Sequence, residues 1–306
     1  MAKQRLATVT SDFGSGKRES HDATPFYSRF SSPAISEDDR VSPPVLVDQL
    51  FHSDAREMTT AQVTDGSVAL VVTSPPYFAG KEYETDTTSG GVPASYVEYL
   101  GMLRDVLALC RDKLEPGGRM AVNIANLGRK PYRSLSADII GILQDDLGML
   151  LRGEVIWRKA KGAAGSCAWG SYLSPQNPVL RDVTERVVIA SKGRFDRARK
   201  PGQRESEGLP FEPTIETGEF LEATVDVWEI APESATRVGH PAPFPVALPR
   251  RLIELYTYRA DLVLDPFIGS GSTAVAAVET ARHYIGFDTD GDYLRLAEER
   301  IGGARG

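Results

Sequence analysis

Apolar positions recur along this chain in two rhythms. Val68-Ala-Leu-Val-Val72 is a continuous apolar run, the pattern of a strand buried on both faces. Ser74-Pro75-Pro76-Tyr77 follows at once. Proline donates no hydrogen bond to a ladder, so the run must end there. The segment SYVEYLGMLRDVLALCRDKL, residues 95–114, carries Tyr99, Leu100, Leu103, Val106, Leu107 and Cys110 at three- and four-residue spacing. That spacing predicts an amphipathic helix, with Pro116-Gly117-Gly118 as its stop. RMAVNIAN then reads as a strand, SADIIGILQDDLGML as a helix capped by Ser136, and RGEVIWRK and ERVVIASK as two further strands. In HSDAREMTTAQVTDGS, before the first strand, a polar turn and a short helix are expected.

The last third repeats the alternation around glycines. Leu262-Val-Leu264 is a strand with Asp265 at its end, followed by Pro-Phe-Ile-Gly-Ser-Gly-Ser-Thr, the helix TAVAAVETA and the strand HYIGF. Gly269 and Gly271 allow a tight turn and close approach of a ligand to the backbone. The helix opening at Ser272 or Thr273 offers its N-terminus to polar or anionic groups. Asp288 stands 23 residues after Asp265, where an acidic side chain takes ribose hydroxyls in dinucleotide folds. Strand, helix and strand in alternation predict an α/β chain with a mostly parallel sheet. The glycine loop predicts a nucleoside cofactor. By itself it does not choose between a nicotinamide dinucleotide and S-adenosylmethionine.

Composition narrows this picture. The 306 residues carry two cysteines, four histidines and a net charge of −7. Two cysteines suit a reducing compartment, and the histidines make no metal-ligand spacing. No apolar run approaches the length of a membrane span and the N-terminus has no signal-peptide core, so a cytoplasmic chain without a membrane partner is expected. Residues 1–45 are polar and aperiodic, which predicts a flexible or loosely docked arm. Lys192 to Arg204 holds six basic residues and one Asp, whereas Glu205 to Thr236 holds nine acidic residues and no basic one. One reading is a solvated loop. The other is a recognition segment over 193–235 whose Arg194, Arg197, Arg199 and Lys200 meet phosphates. The interleaved Phe195, Phe211, Phe220 and Trp228 argue for order there.

Together, TSPPY and DPFIGSGST resemble the motifs of the amino-group DNA methyltransferases, and GHPAPFPVALPRRLIELYT resembles the family segment before the glycine motif. The resemblance runs from about residue 50 to the C-terminus. Because Ser74 precedes Asp265 by 191 residues, the order resembles the circularly permuted β group. That implies an S-adenosylmethionine-dependent, Rossmann-like doubly wound sheet, circularly permuted, with a small recognition insertion. Residues 46–192 would be the catalytic half and 236–306 the cofactor half. The two motif strands would be neighbours where the sheet reverses its strand order.

The resemblance implies roles residue by residue. Ser74 and the Pro75 carbonyl would accept from an exocyclic amino group, Pro76 would shape the turn, and Tyr77 would stack on a base removed from the duplex. Asp265, Phe267, Gly269, Gly271, Thr273 and Asp288 would hold S-adenosyl-L-methionine. Asp54 would take its adenine amino group, or simply cap a helix, and Phe244 would wall the site or pack in the core. Lys159 would contact phosphate or be solvated. Asn123 and Asn126 receive no role. Serine as first motif residue is usual in cytosine N4 enzymes and aspartate in adenine N6 enzymes, so cytosine is favoured. Attack at cytosine carbon 5 needs a placed thiolate, which neither Cys110 nor Cys167 supplies. The expected partner is double-stranded DNA with a flipped base. A cognate restriction endonuclease or a solitary enzyme, and a monomer or homodimer, all remain open. Methylation of RNA or protein amides, nicotinamide-dependent oxidoreduction and an inactive DNA-binding relative are the competing readings.

Overall fold

The eight strands lie in one sheet in the order β1-β8-β7-β2-β3-β5-β4-β6. The structure is a computed structural model and describes residues 35–76, 95–126, 132–159, 170–233 and 244–305. In chain order the strands are β1 (Gln49–His52), β2 (Val68–Thr73), β3 (Leu114–Ile124), β4 (Leu150–Lys159), β5 (Thr184–Ser191), β6 (Val227–Ile230), β7 (Leu262–Asp265) and β8 (His283–Asp288). The helices are α1 (Tyr96–Lys113), α2 (Leu135–Gly141), α3 (Pro201–Ser206), α4 (Thr217–Ala223), α5 (Ala247–Tyr256), α6 (Ser272–Glu279) and α7 (Gly291–Arg305). β1, β8, β7, β2 and β3 run parallel. β5 runs antiparallel between β3 and β4, and β6 adds to β4 in parallel.

Side-chain alternation splits the core between the two faces of the sheet. Val71, Met120, Val122, Leu262, Leu264, Ile285 and Phe287 pack with α1 and α2 on one face. Leu70, Val72, Ala121, Val263 and Tyr284 pack with α5, α6 and α7 on the other. The unbroken apolar run of β2 therefore reflects a central strand covered twice. Ser95 opens α1 with a reciprocal capping box to Glu98, which satisfies two orphan donors at once. α2 starts earlier than expected: Ser134, not Ser136, is its cap, and the Ser136 amide donates to Asn126 Oδ1 at 2.9 Å. α1 ends at Lys113, before the Pro-Gly-Gly stop, and β3 begins directly.

Two strands escape the apolar pattern, β1 and β6. Each has four residues and sits at a sheet edge, too short to show a period of two. The stretch expected to be a recognition segment is described over residues 193–233. Residues 35–306 form one compact unit, and this stretch supplies α3, α4 and the edge strand β6. Residues 35–45, expected to be a loose arm, are fastened where they are described. Ser36 donates to the Gly193 carbonyl at 2.6 Å and Ser42 to the Gly66 carbonyl at 3.0 Å.

The basic run goes to the opposite end of the sheet from the motif residues. β5 is antiparallel, so Lys192 and the residues after it emerge at the N-terminal ends of the parallel strands. Gly117 makes the close approach possible. Its φ is +75°, and a Cβ there would lie 1.8 Å from the Asp196 carbonyl oxygen. Arg197 and Arg204 then bury their guanidinium groups against Glu115 and Asp261, with contacts of 2.5 and 2.8 Å from Arg197. Burial alone would lower the Arg197 pKa, but Asp261 and Glu115 hold it above its ordinary value. Arg197, expected to meet DNA phosphate, has a side chain that is 8% exposed and is paired with both carboxylates. Arg194 pairs with Asp196, and Arg199 with Asp39 and Glu207. Lys200 caps α3 from the same end. The eight residues of β5 put roughly 25 Å between this edge and the motif rim.

Candidate active site at the C-terminal rim of the sheet

β7 leads through α6 to β8 on one side, and β2 leads through α1 to β3 on the other. Strand order reverses between β7 and β2, and such a reversal opens a crevice at the C-terminal strand ends. The end of β2 delivers Thr73, Ser74 and Pro75 there, and the end of β7 delivers Asp265 and the glycine loop. The two motifs, 191 residues apart in sequence, are thus adjacent in space.

The glycine loop is braced from within. Asp265 is fully buried. Its Oδ1 accepts from the Phe267 amide at 3.1 Å and its Oδ2 from the Thr273 hydroxyl at 2.6 Å. Burial pushes its carboxyl up to about 6, against the lowering effect of the Thr273 and Thr73 hydroxyls. The Thr73 hydroxyl lies near without meeting hydrogen-bond geometry and is itself buried and unpaired. Asp265 and Thr273, expected to hold the cofactor, brace the loop from within. Gly271 caps α6 at φ +81°, where a Cβ would lie 2.8 Å from the Ala297 Cβ. Arg300 of α7 ties the loop down from outside, donating to the Ser270 carbonyl at 2.7 Å and pairing with Glu233.

Asp288 stands at the end of β8 beside this loop. It accepts from the Gly269 amide at 2.8 Å and from the Asp290 amide at 2.9 Å, and burial raises its carboxyl above the ordinary value. An ionised carboxylate has about four acceptor sites, more than these backbone amides fill, which leaves capacity for a ligand's hydroxyl. The short loop, a helix N-terminus and an acceptor with spare capacity fit a nucleoside cofactor. Asp54 lies just past β1, whose His52 is in register with Asp288. Its carboxylate caps the short 3-10 turn Ala55–Glu57 and is held by Arg56 at 2.6 Å, so the capping role is what the contacts display. Phe244 packs in the core of the α5–α7 face, and Phe267 lies half-buried against the other.

On the β2 side, Ser74 is half-buried at the rim. Asn123 of β3 donates to its Oγ at 3.4 Å and to Glu185 Oε2 at 2.7 Å. Glu185, the second residue of β5, lies opposite Trp157 and meets Lys159 Nζ at 2.5 Å. Lys159, expected to contact phosphate or be solvated, keeps its side chain 33% exposed while pairing with this buried carboxylate. The buried Tyr99 donates from α1 to the Pro76 carbonyl at 2.8 Å and so fixes the chain leaving β2. Tyr77 lies outside the described residues. Sequence reasoning treated Tyr99 only as core and gave Asn123 no role, and it did not single out Glu185. An acidic residue heading the apolar strand Glu185-Arg-Val-Val was the one available signal.

Among the described residues no group of acidic, histidine or cysteine side chains could hold a metal ion, and no helix is long and apolar enough to cross a membrane. Cys110 is fully buried in the core, and burial raises its thiol pKa far above the ordinary range.

Comparison with known proteins agrees with this geometry. The model of the DNA methylase family N6_N4_Mtase matches residues 68–299. The type II methyltransferase M.BglI of Bacillus subtilis is 28% identical over 82% of this chain and 85% of its own length. M.MjaI of Methanocaldococcus jannaschii is 28% identical over 83% and 91%. Among solved structures, TTHA0409 of Thermus thermophilus superposes with a TM-score of 0.65 at 28% identity, covering 84% of this chain and 95% of that one. Another structure of that protein contains S-adenosyl-L-methionine. The cytosine-N4-specific PvuII DNA methyltransferase, at 21% identity and a TM-score of 0.61 over 82% and 85%, shares the fold. The fold is that of the S-adenosyl-L-methionine-dependent DNA methyltransferases, and with most of its length matched by the family model this chain belongs to the N6/N4 DNA methylase family.

Proposed function

We propose that this chain methylates the N4 amino group of cytosine in a specific DNA sequence, with S-adenosyl-L-methionine as methyl donor, as a circularly permuted β-group enzyme. The observation that carries the reading is the meeting of Ser74 with the glycine loop at the strand-order reversal. Asp288, with acceptor capacity left, would take the ribose hydroxyls of the cofactor. The loop from Phe267 to Gly271 and the α6 N-terminus would face its polar end. When bound, the cofactor supplies an electrophilic methyl group.

The chain's own task is to prepare the nucleophile. An exocyclic amino nitrogen is weak because its lone pair is delocalised into the ring. The Ser74 Oγ and the Pro75 carbonyl are two acceptors on one turn. Hydrogen bonds from the amino group to both would draw the nitrogen toward tetrahedral geometry and free the lone pair for direct attack on the methyl carbon, whose bond to sulfur would break as the N–C bond forms, with one amino proton then leaving to solvent. Positioning and polarisation then carry the rate, and no covalent enzyme intermediate is required. A base inside a duplex cannot reach this crevice, so the target must be flipped out. Serine at position 74 supports cytosine. The family also contains adenine N6 enzymes, and adenine is the competing outcome.

Incubating the purified protein with DNA and methyl-labelled S-adenosyl-L-methionine, then digesting to nucleosides, tests the proposal. N4-methylcytosine is expected. N6-methyladenine would move the assignment to the other branch of the family. A cofactor-binding but transfer-dead protein would indicate an inactive relative.

A further inference from the structure

We infer that Glu185 and Asn123 form a positioning relay that sets the hydrogen-bond polarity of Ser74, with Lys159 balancing its charge. The inference rests on the proposed catalytic role of Ser74. Three neighbouring strands supply the parts: Asn123 from β3, Glu185 from β5 and Lys159 from β4. Asn123 is 2% exposed and Glu185 7%, so water does not compete for their contacts.

The direction of each bond follows from the chemistry of the groups. An ionised carboxylate only accepts. The group Asn123 turns to Glu185 Oε2, at 2.7 Å, must therefore be its NH2. That fixes the amide's orientation, and the second N–H of the same nitrogen points to Ser74 Oγ at 3.4 Å. Ser74 is then an acceptor from Asn123. This bond sets the direction in which its second lone pair meets the target amino group, with its own hydrogen turned away from the target. Were the amide reversed, its carbonyl would draw the Ser74 hydrogen toward itself and reorient both lone pairs. Glu185 decides between these two states without touching the substrate. Lys159 Nζ, 2.5 Å from Glu185 Oε1, stabilises a carboxylate that would otherwise be costly to bury beside the site.

The test is a double-mutant cycle with full-length protein in single-turnover methyl transfer. Glu185→Gln can present an amide N–H to Asn123 and so permit the reversed state. The rate of transfer at saturating DNA and cofactor should fall by about tenfold to a hundredfold, the cost of misplacing a reacting group. S-adenosyl-L-methionine affinity by calorimetry should stay within about twofold. Asn123→Leu, which removes the donor at similar volume, should lose the same factor, and serves if Glu185→Gln does not fold. In the Ser74→Ala background either substitution should cost almost nothing further, because its effect is transmitted through the missing hydroxyl. A purely structural role would instead multiply the losses. The inference is overturned if Glu185→Gln and Asn123→Leu transfer at the wild-type rate while Ser74→Ala is impaired, or if their losses multiply with that of Ser74→Ala. If Ser74→Ala itself transfers at the wild-type rate, the reading of Ser74 fails and the relay with it.

Discussion

Ser74 and Asp288 are asked to do different things, and their substitutions should separate. Ser74→Ala removes one polarising acceptor but keeps the strand end, the Tyr99 bond to Pro76 and the glycine loop. Transfer should fall by about 10²-fold or more, the scale of losing one polarising hydrogen-bond partner, while cofactor affinity holds. Asp288→Ala should do the reverse in the first instance. Each charge-assisted bond removed is worth about 1.5–3 kcal/mol, so calorimetry should show cofactor affinity weakened by at least about tenfold. An Asp288→Ala protein that binds S-adenosyl-L-methionine like the wild type would remove that residue from the site. These two residues were legible in the sequence because each ends an apolar strand and stands in a motif. Glu185 and Asn123 were not. A strand's local pattern does not say which other strand will lie beside it, and the contact between them spans 62 positions.

Between residue and molecule, the glycine loop shows how an element is kept in shape. Gly271→Ala places a Cβ against Ala297 and forces an L residue to φ +81°. Destabilisation of about 1–3 kcal/mol is expected, with loss of cofactor affinity. Adding Ala297→Gly should recover the part due to the contact and leave the part due to φ. Equal melting temperatures for Gly271→Ala and the wild type would contradict this. The loop also carries a pH signature. Asp265 titrates at about 6 when folded against 3.8 when free, so the native state binds the proton more tightly. Its contribution to stability is full below about pH 4 and is lost as pH rises through about 6. Asp265→Asn does not titrate and keeps an oxygen for the Phe267 amide. In urea unfolding, the variant should gain on the wild type by up to about 3 kcal/mol between pH 4 and 7. A constant difference over that range would contradict the burial argument. The strand-loop-helix-strand reading of this element survived intact because its apolar runs and glycines are all local. β1 and β6 were missed for the opposite reason: four edge residues each acquire their conformation from the neighbouring strand.

For the molecule as a whole, the sheet has a working rim and a fastened base. In the basic run, charge along the sequence looks the same whether it faces solvent or partners distant in the chain. Its partners Glu115 and Asp261 lie 82 and 64 positions from Arg197. If DNA engages the rim as proposed, neutralising Arg194, Arg199 and Lys200 together should leave the salt dependence of DNA binding unchanged. Every genuine phosphate contact among the three would instead lower that slope by about 0.9 when removed. Arg197→Met, by contrast, strands buried carboxylates and should cost about 3–5 kcal/mol of stability. A lowered slope in the triple variant would return the recognition role to the base of the sheet.

Ser74 at the rim is proposed to direct methyl transfer to a cytosine amino group in a defined sequence. Expressing the chain in a host free of DNA methylation, and reading modified bases across that genome by single-molecule sequencing, tests it most directly. N4-methylcytosine at one recurring sequence is expected with the wild type, and far sparser modification of that sequence with Ser74→Ala. Methylation confined to adenine, or a genome equally modified by Ser74→Ala, would contradict it.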